Sequence, residues 1–229
     1  MQPYFLPYIG YFQLIHAVDK FIIYDNIQFT KKGWINRNRI LQEGNDEYIT
    51  LPLKKDSDYL NIDDRWLANS YEADINKLLR KIGNAYKQAP YYNEVFPILR
   101  LILTYKDHNL FKFVLNSILT ICEYLDINNE IIISSTLPIN HQLKAQDKVI
   151  AICNALNASH YINLSGGMEL YSKKVFKQQH LDLNFIKMGS VTYPQFKKKF
   201  VPNLSIIDAM MFSSKLEIKN YVQSHFSIS

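Results

Sequence analysis

Apolar positions along this chain alternate between two textures. Phe21, Ile22 and Ile23 form a continuous apolar run over residues 20–25 that ends in Tyr24-Asp25. Such a run is the mark of a strand buried on both faces. Just before it, Phe12, Leu14, Ile15 and Val18 predict a short helix over residues 12–18. Tyr48, Ile49, Leu51 and Leu53 predict another strand over 47–53, with Pro52 marking its edge or its end. From Tyr71 the spacing lengthens. Leu78, Leu79 and Ile82 recur at helical intervals toward Tyr86, and Ala89-Pro90 stops the run. Broad apolar faces over 95–103 and 110–125 predict two more helices. The first texture then returns: strands over 131–135, 159–163 and 181–188, and helical patterns over 145–156, 168–176, 205–211 and 217–225. Strands alternating with helices imply parallel pairing through crossovers. The expectation is an α/β fold with a mostly parallel sheet flanked by helices. One domain spans residues 1–229, with a helical insertion over 71–126 that forms a layer or a lid.

Composition narrows this picture. With 229 residues, 48% of them hydrophobic, the chain can bury one substantial core. No apolar run approaches the roughly 20 residues that span a bilayer. No basic stretch followed by an apolar stretch marks a signal peptide at the amino terminus. Cys122 and Cys153 both fall in apolar helical patterns. They read as small buried thiols rather than a disulfide framework, which fits a reducing cytoplasm. The net charge is +5, with a local basic bias at Lys197-Lys198-Lys199 beside Lys173, Lys174 and Lys177. A basic surface suits a phosphorylated small molecule or peripheral contact with anionic lipid. Nothing in the chain matches a nucleic-acid-binding module.

The candidate chemistry lies mainly in the first forty residues. A strand ending in Asp25 is followed by Gln28, Lys31, Trp34, Asn36, Arg37, Asn38 and Arg39. Ligands of α/β folds bind outside the carboxyl ends of strands, so this is a candidate polar site. A solvated basic loop after an edge strand is the plainer reading. Asp25 is a candidate general base, metal contact, or acceptor for a ribose or sugar hydroxyl, or a cap for its own turn. Trp34 would stack on a sugar or base face, or pack in the core. On a strand, Asn36 and Asn38 face one side and Arg37 and Arg39 the other. We expect the asparagines inward and Arg37 as a phosphate contact. Gly166-Gly167 follows a strand and precedes a helical pattern, where glycine permits positive φ and free amides meet an anion. A tight strand-to-helix turn is the alternative. The six histidines are scattered and form no metal-ligand set. No nucleophile elbow is present.

The combination Gln2-Pro3, Pro7-Tyr8-Ile9-Gly10-Tyr11-Phe12, Tyr24-Asp25, Gln28-Phe29 and Gly33-Trp34-Ile35-Asn36-Arg37-Asn38 resembles the WbqC-like proteins. Later matches are Tyr161-Ile162-Asn163, Gly166-Gly167, Leu170-Tyr171, Tyr193 with Gln195, and Leu204-Ser205-Ile206-Ile207-Asp208. The resemblance implies a bacterial protein of O-antigen and surface-polysaccharide synthesis, with attachment of glycine or another acyl group to a sugar. It adds Gln2, Tyr8, Tyr171, Tyr193 and Gln195 to the candidate substrate contacts and Asp208 to the candidate acids. Tyr193 and Gln195 would reach one ligand or close a loop, and Asp208 would act in catalysis or cap a helix. The family pattern normally has a short apolar strand before Gln2-Pro3, and without it these residues would sit at a frayed terminus. The opening turn and helix also look like those of pantothenate-synthetase-like nucleotidyltransferases, which activate a carboxylate as an adenylate. Their histidine pair is not here: Tyr8, Ile9, Gly10 and Tyr11 occupy the region.

The leading expectation is acyl or aminoacyl transfer onto an amino sugar carried on a nucleotide or a lipid. The alternatives are a glycosyltransferase-like enzyme using a nucleotide sugar and a non-catalytic glycan-binding scaffold. The residues specify no cofactor and no oligomeric state. The helices over 71–126 are expected to wall the substrate cleft.

Overall fold

The computed structural model describes residues 1–196 and 199–229. Lys197 and Lys198, two thirds of the expected basic run, lie outside the described residues. The fold is mixed α/β, with helices around small sheets. After a buried amino-terminal turn come α1 (Ile9–His16) and β1 (Lys20–Ile23). A hairpin of β2 (Arg37–Gln42) and β3 (Asn45–Thr50) follows. Its turn places Glu43 and Gly44 at φ 52° and 86°. Two consecutive left-handed residues suit the right-handed twist of a tight hairpin, and glycine adopts that conformation at little cost. The expected strand over 47–53 is thus the second arm of this hairpin and stops before Pro52.

The three expected helices are α2 (Tyr71–Tyr86), α3 (Tyr92–Leu103) and α4 (Leu110–Tyr124). In α2 the buried residues Tyr71, Ile75, Leu78, Leu79, Ile82 and Tyr86 make one apolar stripe. Asn109 caps α4 by accepting a hydrogen bond from the Lys112 amide at 3.2 Å. These helices share one hydrophobic cluster with the amino-terminal turn, β1, β2, α7 and α8. The ring of Phe5 packs 6.5 Å from Phe113.

The carboxyl-terminal half supplies β4 (Glu130–Ile133), α5 (Ala145–Ala155), β5 (His160–Leu164), α6 (Lys173–Gln178), β6 (Asp182–Met188), α7 (Ile206–Phe212), α8 (Lys215–Ser224) and β7 (Phe226–Ile228). The expected parallel pairing occurs twice, β1 with β4 and β5 with β6, in separate small sheets. β6 also pairs antiparallel with β7, a strand the hydrophobic pattern does not show. A smaller cluster, including Val149, Cys153, Phe176 and Phe185, forms the core under β5 and β6. Gly166 and Gly167 lie in a 3-10 segment, Ser165–Leu170, and not at the start of the expected helix. Gly44, not this pair, is the glycine with positive φ.

The amino terminus is not frayed. The Met1 amine donates to the Ile22 carbonyl at 2.6 Å, and the Tyr24 amide donates to the Met1 carbonyl at 2.9 Å. That pair of bonds is one rung of a parallel ladder opposite Ile23. Burial pushes the Met1 amine down to about 5.

Candidate functional site

A cleft of about 1440 Å³ runs between the amino end of the chain with β1 on one side and α5, β5 and the 3-10 segment on the other. The bodies of these elements line it with apolar side chains, among them Leu14, Phe21, Ile22, Val149, Ile152 and Ile162. Beyond the carboxyl end of β1 stand Tyr24, Asn26 and Gln28, and at the end of β5 stand Asn163, Gly166, Gly167 and Tyr171. Gln2, His141 and Lys148 join them. Strand ends are where α/β folds gather ligand-binding loops.

The most organised polar group centres on Asn26. Its Oδ1 accepts from the Ser134 hydroxyl at 2.8 Å and from Lys148 Nζ at 3.1 Å. These two donors fix the amide orientation, so Nδ2 donates to His141 Nδ1 at 3.0 Å. His141 therefore carries its proton on Nε2, which faces the Leu137 carbonyl at 3.1 Å. Lys148 Nζ also lies 5.4 Å from the centre of the Tyr24 ring. Burial lowers the Lys148 pKa, and the nearby Asp25 charge opposes the shift. Burial raises that of Tyr24, so its hydroxyl stays a donor.

Of the residues singled out in the sequence, Gln2, Gln28, Gly166, Gly167 and Tyr171 line this cleft. Asp25 lies just behind its wall and is 5% exposed. Its Oδ1 accepts from the Ser135 amide at 3.0 Å and the Ser134 hydroxyl at 3.2 Å, which joins the ends of β1 and β4. Asn36 and Asn38 point inward, as the alternation requires, but into the protein and not into the cleft. Asn36 donates to the Leu51 carbonyl at 3.0 Å. Asn38 donates to the carbonyls of Phe5 at 2.9 Å and Leu6 at 2.8 Å. Leu6 sits at φ 45°, a left-handed conformation costly for leucine, and the Ser205 hydroxyl also donates to its carbonyl at 2.7 Å. Arg37 does not meet Gly167. Its guanidinium donates to the Gly33 and Lys32 carbonyls at 3.1 and 2.5 Å and covers the Tyr48 ring. Trp34 stacks on that same ring, and Lys31 pairs with Asp58 at the surface.

Tyr193, Gln195 and Asp208 form a separate, buried group. Asp208 accepts from Tyr86 at 2.8 Å, from Tyr193 at 2.9 Å and from Gln195. Burial raises its pKa, and these donors partly oppose the rise. The Tyr86 hydroxyl in turn accepts from the Leu41 amide at 2.8 Å. Tyr8, half-buried, has its hydroxyl pushed up to about 12 by burial and the nearby Tyr4. No residue of α2, α3 or α4 lines the cleft, so these helices do not wall it.

Asn26, His141 and Lys148 are the site residues that periodicity does not reveal. A signal for Lys148 was present: it shares the buried stripe of α5 with Val149, Ile152 and Cys153. A lysine there must have a partner or a purpose.

The sequence profile of the WbqC-like protein family matches residues 2–220. The chain is 26% identical over 226 residues to an uncharacterized protein of Mycobacterium tuberculosis, Rv1507c, covering 97% of this chain and 96% of that one. No solved structure matches. A match over nearly the whole chain assigns it: this protein belongs to the WbqC-like protein family.

Proposed function

We propose that the cleft binds an amino sugar carried on a nucleotide or lipid and that the protein transfers an acyl or aminoacyl group onto its amine, in cell-surface glycan synthesis. One observation carries this reading. Residues from the amino-terminal block and from the block after β5, far apart in sequence, line one deep cleft with amides and hydroxyls beside an apolar wall. Amides and hydroxyls suit a sugar's hydroxyls, and the tyrosines Tyr24 and Tyr171 offer faces for a ring.

In this reading the neutral sugar amine attacks the carbonyl carbon of an activated acyl donor, such as an acyl phosphate or thioester. A nitrogen–carbon bond forms, the bond from that carbon to the donor breaks, and the donor group leaves with the electron pair. The amine's proton passes by way of one water to Asp25, the carboxylate just behind the cleft wall made by Tyr24 and Asn26. Mass spectrometry of nucleotide-linked amino sugars incubated with the protein and candidate acyl donors tests it: the expected product is the sugar heavier by one acyl group. Asp25→Asn should lower turnover by about 100-fold or more, the usual contribution of a general base, with substrate affinity roughly kept. Wild-type turnover in Asp25→Asn would remove Asp25 from that role.

A further inference from the structure

We infer that Lys148 is the anion-recognising residue of the cleft and that it takes a pyrophosphate group of the bound molecule. The inference rests on the cleft being the substrate site, though not on acyl transfer being its chemistry.

Lys148 is 7% exposed, yet no carboxylate pairs with it among the described residues. Its ammonium has three protons to donate and one hydrogen-bonded acceptor, Asn26 Oδ1. One amide and an aromatic face leave two of its protons for a ligand in the cleft. Asp25 tempers the charge from a distance, but its Oδ1 is engaged by Ser134 and Ser135. Meanwhile its acceptor is held in place: Asn26 is fixed by Ser134 and His141, which positions the Lys148 ammonium at 3.1 Å from Oδ1.

A second positive feature adjoins it. Lys148 lies in the first turns of α5, an eleven-residue helix whose amino terminus has no side-chain cap. Lys144 and Ala145, where that helix begins, line the same cleft. Free amides and the helix dipole there favour an anion, offset in part by the exposed Asp147 in the first turn. A point-charge ammonium beside uncapped amides suits the multiple oxygens of a pyrophosphate better than a single carboxylate. The sequence-based expectation placed this role on Arg37, whose guanidinium is occupied by backbone carbonyls and faces Tyr48.

Calorimetry of the full-length protein with three probes tests the assignment: inorganic pyrophosphate, uridine diphosphate and a water-soluble prenyl pyrophosphate. Wild-type protein should bind at least one. Uridine diphosphate binding best identifies a nucleotide carrier, prenyl pyrophosphate best a lipid carrier. Lys148→Met should weaken binding about tenfold or more, the loss of a charge-assisted hydrogen bond. Lys148→Arg should keep most of the affinity, and Lys174→Met, at an exposed position of α6, should leave it unchanged. Labelling of wild-type lysines by reductive methylation, read by mass spectrometry, needs no variant: the bound probe should slow modification of Lys148 and not of Lys174. Absence of binding by all three probes, wild-type affinity in Lys148→Met, or unprotected Lys148 in the presence of a binding probe would each overturn the inference. Probe binding without turnover in the acyl-transfer screen would keep the anion site and remove the transfer reading.

Discussion

Asp208 shows how one residue's surroundings decide what it does. It is fully buried and its carboxylate accepts from three side chains on two different segments. Asp208→Ala would leave the Tyr86 and Tyr193 hydroxyls and one N–H of the Gln195 amide without their acceptor. The expected cost is about 3 kcal/mol, read as a shift of the urea midpoint. Asp208→Asn keeps an acceptor, since a tyrosine hydroxyl can rotate, and should cost less. It should also change the pH profile. A carboxyl with a raised folded pKa stabilises below its unfolded value, and that contribution is lost as pH rises through the folded value. Stability of the wild type should therefore fall across that window as pH rises, and Asp208→Asn should lose the slope. An unchanged slope would show that another group titrates there. The same logic marks what single residues disclosed from sequence. The inward direction of Asn36 and Asn38 followed from strand alternation, but their partners, the Leu51, Phe5 and Leu6 carbonyls, are fixed only by tertiary packing. Asn26 looked unremarkable because its role depends on Ser134, His141 and Lys148, each more than a hundred positions away.

Elements were more legible than contacts. The α2, α3 and α4 helices and the strands β1, β4, β5 and β6 follow from apolar periodicity, since burial of one face or both is a local property of sequence. Short β7 was not legible: it exists because β6 offers it an edge. In the 3-10 segment after β5, Gly167 has a reason to be glycine other than positive φ, whereas a Cβ on Gly166 would meet open space. A Cβ on Gly167 would stand 3.1 Å from Asn163 Nδ2. Gly10, within the amino-terminal motif, makes the same point more sharply. It lies in α1, and a Cβ there would collide with the Met188 thioether of β6 and with the Tyr8 ring. Gly10→Ala must push α1 away from β6 or displace both side chains. The expected destabilisation is about 1–3 kcal/mol, the range for overpacking, measured by thermal or urea unfolding. A neutral or stabilising Gly10→Ala would mean that Met188 repacks freely, and that the close approach of α1 to β6 does not require glycine.

At the scale of the whole molecule, β1, paired with β4, and β5, paired with β6, both line the cleft, and Met1 adds one rung to the edge of β1 away from β4. Residues placed before Met1 would continue that ladder past Ile22 and Phe21, along the apolar part of the cleft and away from Asn26 and Lys148. An open strand edge against apolar side chains is an invitation to pairing. The present occupant of the rung is an amine that must shed its charge: its pKa falls from 8.0 to about 5 on folding. The sign follows directly. Between those values the unfolded chain holds a proton that the folded chain lacks, so stability rises with pH, by up to about 1.4 kcal/mol per unit. Below about 5 the folded amine is charged as well and the full cost applies; above 8.0 there is none. Two variants separate charge from pairing. Acetylation of the Met1 amine keeps an N–H for the Ile22 carbonyl and should abolish the slope between pH 5 and 8 with little change above it. Extending the chain before Met1 with a few β-branched residues should abolish the slope and also raise the melting temperature at pH 8, because new ladder bonds form and apolar surface of the cleft is covered. An extension that matches acetylation, with no gain at pH 8, would show that the edge of β1 does not accept a strand and that this part of the cleft stays open to ligand.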